Sequence, residues 1–147
     1  MRFKKAVCFI LAALFIFAST GKAGEVIAVI VNKANPINSI SEGELKKIYT
    51  NNILSWSDGT AIIIYELSVQ DPLRNIFSQR ILEKEAEKAA EEWAHLKLTN
   101  QAKNPPLAMK SEALIIRKIS REKGAIGYVS LASVRGSQQI KIVSTFE

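Results

Sequence analysis

In the stretch YELSVQDPLRNIF, residues 65–77, Ser68, Arg74 and the helix start at Asp71 form a candidate site for a small anion. Ser68 offers a hydroxyl, Asp71 a carboxylate at the start of a helical pattern, and Arg74 a guanidinium one turn further on. An arginine fork grips an oxyanion through two parallel N–H bonds. The stretch also lies where an apolar strand gives way to a helix, and ligands of open α/β sheets sit beyond such strand ends. Each feature has a local use as well. Asp71 is a strong N-cap for the N–H of Leu73 or Arg74, and its charge has the sign of a phosphate. Pro72, at the first helical position, has no N–H to give. A cation in the first helical turn opposes the helix dipole at a cost of about 0.3–1 kcal/mol, so Arg74 calls for a negative partner. That partner is either Asp71, three residues back, or a bound anion shared with Ser68. Thr99 and Asn100, in the loop TNQAKNPP, are further candidates. Their side chains either donate to the same ligand or cap the preceding helix.

Other chemistries find less support. His95 is the sole histidine and has no cysteine or carboxylate at metal-ligand spacing, so a half-exposed helical histidine is expected and no metal. The acidic residues Glu83, Glu85, Glu87, Glu91 and Glu92 alternate with Lys84 and Lys88, the pattern of a solvated helix face. Trp56 is expected to bury its ring under NNILSWSDGT, with ligand stacking as the alternative. Gly127 marks a close backbone approach, to a neighbouring strand or to a ligand. No Ser-His-Asp, Cys-His, paired-carboxylate or phosphate-loop pattern occurs, so no enzyme and no cofactor are expected.

These residues need elements to position them. EVIAVIV (25–31), AIIIY (61–65), AIGYV (from 125) and QIKIV (from 139) read as strands. Ser41 and Glu44 have capping-box spacing, and Ile40 and Leu45 that of a hydrophobic staple, ahead of a short helix facing inward with Leu45, Ile48 and Tyr49. Leu73, Ile76, Phe77 and Ile81 recur at helical spacing, and a longer helix spans about 84–98 with Ala86, Ala89, Ala90, Trp93 and Leu96 on one side. Ser111 caps a last helix with Leu114, Ile115 and Ile119 inward and Gly124 as its C′ residue. Arg117, Lys118, Arg121 and Lys123 suit the negative end of that helix dipole; a polyanion patch is the alternative. The order β-α-β-α-α-α-β-β, with strands apolar on both faces, predicts a largely parallel sheet flanked by helices.

The start of the chain carries a different signal. Met1–Lys5 is basic, Ala6–Ser19 is apolar and Thr20–Ala23 is small and polar, the layout of a cleaved secretory leader. The apolar run falls short of the roughly 20 residues that span a bilayer, so the mature form is not expected to be membrane-spanning. The expected organisation is therefore a leader over 1–23 and one domain over 24–147. Of 20 Lys and Arg, four (Arg2, Lys4, Lys5, Lys22) fall in the leader, and the remaining 16 face 14 acidic residues. A near-neutral mature chain without basic aromatic runs is not expected to bind nucleic acid. The single cysteine, Cys8, also lies in the leader, leaving no thiol for a disulfide or metal site.

VNKANPINSISEGELKKIYTNNILSWSDGT, the strand exit at YE, PLRNIF and GAIGYVS together resemble the phosphate-type substrate-binding proteins of ABC transporters, above all their short single-domain members. The likeness runs from about Val26 to Val143. It implies a single lobe of a type II periplasmic-binding-protein-like fold, exported to the periplasm, and a non-catalytic role in recognising phosphate or a similar small oxyanion. In full-length members a Gly/Ser/Thr-rich turn precedes an arginine at the anion. Arg74 and Phe77 match that pattern; Asp71, Pro72 and Leu73 replace the small residues. Short relatives often carry glycines where this chain has Asn100 and Ala102. The resemblance thus also admits a ligand-free interaction module serving a membrane sensor, transporter or other envelope partner.

Overall fold

The computed structural model describes residues 24–147; the expected leader lies outside them. Five strands form one sheet: β1 (Ile27–Asn32), β2 (Ile63–Leu67), β3 (Leu107–Met109), β4 (Ala125–Ser130) and β5 (Ile140–Phe146), in the spatial order β3-β2-β4-β1-β5. Four α-helices flank it: α1 (Glu42–Tyr49), α2 (Pro72–Phe77), α3 (Ala86–Leu98) and α4 (Glu112–Arg121). A π-helical turn, Ser78–Leu82, follows α2 directly and ends at Glu83, whose φ of 58° reverses the chain.

The single-lobe α/β architecture matches the expectation, with one strand reversed in the sheet. β2 runs parallel to β3 and β4, but β1 runs antiparallel to both β4 and β5. Four of the five strands therefore point the same way, and β1 alone runs against them. A strand buried on both faces reads as an apolar run in either direction, so the residues do not reveal its sense. β1 is such a strand, buried at all six positions. β3, three residues at an exposed edge, is too short to leave a pattern.

Local signals set the helix starts. The Ser41–Glu44 capping box is complete in both directions. Ser111 accepts from the N–H of Leu114 at 3.3 Å. Ile115 and Ile119 face the sheet, but Leu114 is partly exposed, unlike its expected inward position. Gly124 is not a left-handed cap residue: α4 stops at Arg121, and Gly124 instead lies where an added Cβ would come within 2.1 Å of the Ala61 carbonyl oxygen. The Trp56 indole N–H also donates to the Gly124 carbonyl, at 2.9 Å, which fixes the buried ring beneath its loop.

The two faces of the sheet are built differently. On one, Gly127 allows α4 to come close, since an added Cβ would meet Ile115 and Ile119 at 2.9 Å. On the other, Tyr128 stacks on Phe77 at 3.8 Å between ring centroids, and Tyr49 tilts against Phe77 at 4.8 Å. Because side chains alternate along a strand, Glu66, two residues beyond the Ile64↔Ile126 pair, falls on the Tyr128 face.

Candidate functional site

Arg74 is buried, and its fork is engaged within the chain. One guanidinium nitrogen meets a Glu66 carboxylate oxygen at 2.9 Å, and another donates to the Leu67 carbonyl at 3.0 Å. The two side chains of the pair retain only 8% and 11% exposure. The cation in the first turn of α2 therefore finds its negative partner on the strand, not in Asp71. The sequence supplied no signal for that pairing. Glu66 sits in a run of apolar strand residues, and its distance from Arg74 is set by how α2 folds back over β2.

Asp71 is the N-cap, its carboxylate accepting from the Leu73 N–H at 2.9 Å. The Ser68 backbone carbonyl accepts from the Asp71 N–H at 2.9 Å and closes the turn between β2 and α2. At the end of α3, the Thr99 hydroxyl donates to the His95 carbonyl at 2.9 Å, and Asn100 turns the chain with a φ of 60°. Asp71 and Thr99 thus spend their side chains on helix ends. Arg74 lines a depression of about 230 Å³ with Glu66, Ala90, Trp93, Lys97 and Ala108, and neither Ser68, Asp71, Thr99 nor Asn100 borders it.

That depression lies between α3 and the β2–β3 edge of the sheet, where Glu66 is register partner to Ala108. Its volume is below the roughly 300–1,000 Å³ of pockets for larger organic ligands, a size suited to an ion. Its charged lining is Arg74, Lys97 and Glu66. Burial pushes the Glu66 carboxyl up to about 7, while Arg74, and after it Lys97, pull it back. The ion pair thus offsets only part of the cost of taking the carboxylate out of water. Burial likewise raises the Tyr49 and Tyr128 hydroxyls well above their ordinary range. The Tyr49 hydroxyl donates to the Tyr65 carbonyl at 3.1 Å; the Tyr128 hydroxyl has no hydrogen-bond partner among the described residues.

The remaining candidates sort readily. His95 is exposed and borders a separate open depression with Lys88, Glu91, Glu92 and Leu96. Lys84 pairs with Glu92 and Lys88 with Glu91, as expected of a solvated helix face. Lys123 pairs with Asp58 rather than serving the end of α4. Among the described residues, no group of three or more His, Cys, Asp and Glu is placed to hold a metal, and no helix is long and apolar enough to cross a membrane.

A family model described as a PBP superfamily domain matches residues 23–146. Solved structures share the fold. An ABC-type phosphate transport receptor from Vibrio cholerae superposes with a TM-score of 0.64 at 17% identity, covering 82% of this chain and 46% of its own. PstS from Borrelia burgdorferi superposes with a TM-score of 0.61 at 21% identity, covering 82% of this chain and 47% of its own. The chain therefore spans less than half the length of these proteins. A search of curated proteins returned no match.

Proposed function

Because the chain belongs to the family described as the PBP superfamily domain, we propose that it is a non-catalytic solute-recognition lobe that takes phosphate or a similar small oxyanion at the Arg74–Lys97 depression. The observation that carries this reading is two cations on one ion-sized concavity, with a single carboxylate opposing them. The phosphate receptor from Vibrio cholerae, which shares the fold, is consistent with the ligand class. The leader-like start of the chain supports export to the periplasm. A single lobe touches a ligand from one side, so weaker binding is expected than in a two-lobed clamp that encloses it.

One set of contacts favours a second reading. The Arg74 fork is already met by Glu66 and Leu67, Asp71 is spent on Leu73, and Pro72 has no N–H to offer. A lobe that has kept the fold and filled its own anion site would serve as an interaction module for a membrane sensor, transporter or other envelope protein.

Thermal unfolding in the presence of phosphate, sulfate and acetate separates the two. A bound anion at 100-fold its dissociation constant adds about 2.7 kcal/mol of stability. The binding reading expects phosphate to raise the midpoint in the wild type and to have no effect in Arg74→Gln. A wild-type midpoint that no anion moves at millimolar concentration favours the interaction module.

A further inference from the structure

We propose that Glu66 is an internal competitor for the Arg74 guanidinium, so that a small oxyanion enters the depression only as Glu66 takes up a proton from solvent. The inference rests on the anion-binding reading above and adds its regulation. The carboxylate already occupies one face of the fork, at 2.9 Å, and the Leu67 carbonyl holds a second guanidinium nitrogen. An incoming anion must therefore share or displace Glu66. With both charged, the anion and the largely buried carboxylate repel each other, and like charges are costly at a buried group.

Protonation removes that conflict. It leaves Arg74 and Lys97 as the charged groups of the lining and turns Glu66 from an acceptor into a donor. The groups around Glu66 fit this change. Arg74 and Lys97, from α2 and α3, favour its charged form, and Trp93 and Ala108 add no charge of their own. Tyr49 on α1 and Tyr128 on β4 are held neutral by burial, and Asp71 on α2 also acts on Tyr128. The buried Tyr128 hydroxyl is influenced by Glu66, by Arg74 and by the Leu67 backbone, which makes it part of the same cluster. Burial places the Glu66 transition close to neutral pH, within reach of ordinary changes in the surroundings.

The test is sulfate affinity between pH 6 and pH 8.5, chosen because sulfate keeps its charge throughout and the profile then reports the protein. For the wild type, affinity should fall roughly tenfold from pH 6 to pH 8, as the competent fraction shrinks. Glu66→Gln should bind as tightly as the wild type at pH 6 and show a flat profile. His95→Gln should keep the wild-type profile, since His95 borders a different depression. Binding that appears in Glu66→Gln alone, and not in the wild type at pH 6, overturns release by a proton. A flat wild-type profile, with binding still lost in Arg74→Gln, overturns the competitor role and leaves the anion site standing. No binding by either the wild type or Glu66→Gln at any pH overturns the underlying site, and the competitor role with it.

Discussion

The two faces of the sheet solve the same problem with different materials. Against α4 the sheet is sealed by aliphatic contact, with Gly127 removing its own side chain so that Ile115 and Ile119 can lie on the backbone. Against α1, α2 and α3 it carries an aromatic cluster and, beside it, a buried ion pair. A stable core needs only the first arrangement. Burying an arginine and a glutamate contributes little net stability compared with apolar residues of the same volume, because both must leave water. On the function proposed above the second face serves recognition, and the two faces should respond differently to mutation and to pH.

The largest expected effect is on the polar face. Arg74→Leu removes the cation that partly offsets the burial of Glu66, so the carboxyl must take up a proton to stay buried. At pH 8 the lost pairing, the proton uptake and the lost packing together should cost about 3 kcal/mol in urea unfolding. At pH 5 the loss should shrink, because Glu66 is then protonated. Adding Glu66→Gln to Arg74→Leu should restore most of the stability at pH 8. A pH-independent loss would mean that packing, not charge, sets the cost.

The apolar face should yield less, and without pH dependence. Gly127→Ala places a methyl against Ile115 and Ile119 and close to the Tyr65 carbonyl. Overpacking of this kind costs about 1–3 kcal/mol, readable as the same drop in unfolding free energy at pH 5 and pH 8.

The wild type itself gives a pH prediction. The folded-state value for Glu66, about 7, lies above the ordinary carboxyl value of 4.5. Between these values the unfolded chain loses the proton first and binds fewer protons than the native state. The contribution of Glu66 to stability is therefore complete below about 4.5 and is lost as pH rises through 7. Urea unfolding of the wild type and Glu66→Gln across this range should show the wild type losing ground relative to the variant as pH rises.

Smaller effects test the rim of the polar face. Asp71→Ala removes the α2 cap, at a cost of about 1 kcal/mol. It also removes a charge of the anion's sign, so any phosphate affinity should increase; Asp71→Ser should do the same with a smaller stability loss. Glu42→Gln breaks an exposed pair with Arg80 and should change the unfolding free energy by less than about 1 kcal/mol.

The contrast between the faces also explains what the residues revealed in advance. Ser41, Glu44 and Ser111 act within one helical turn, so spacing alone identified their caps. The strand runs identified most of the sheet, but not the direction of β1 or the existence of β3, because strand sense and edge pairing arise from tertiary contacts. Arg74 was legible as a cation in an unfavourable place. Its partner was not, because Glu66 lies eight residues back on a strand and meets Arg74 only after α2 folds over it. Lys97 joins the depression from α3, farther away again. The local roles of Asp71 and Thr99 could be read from spacing; whether their side chains remained available for a ligand could not.

The two tryptophans allow a direct test of whether the Arg74 depression receives an anion. Trp93 lines it, whereas Trp56 lies elsewhere with its indole on the Gly124 carbonyl. In NMR spectra recorded at pH 6, phosphate should shift the Trp93 indole N–H signal along a saturable curve and leave that of Trp56 in place. A Trp93 signal that stays fixed throughout the titration, or a Trp56 signal that moves in its stead, would contradict the account.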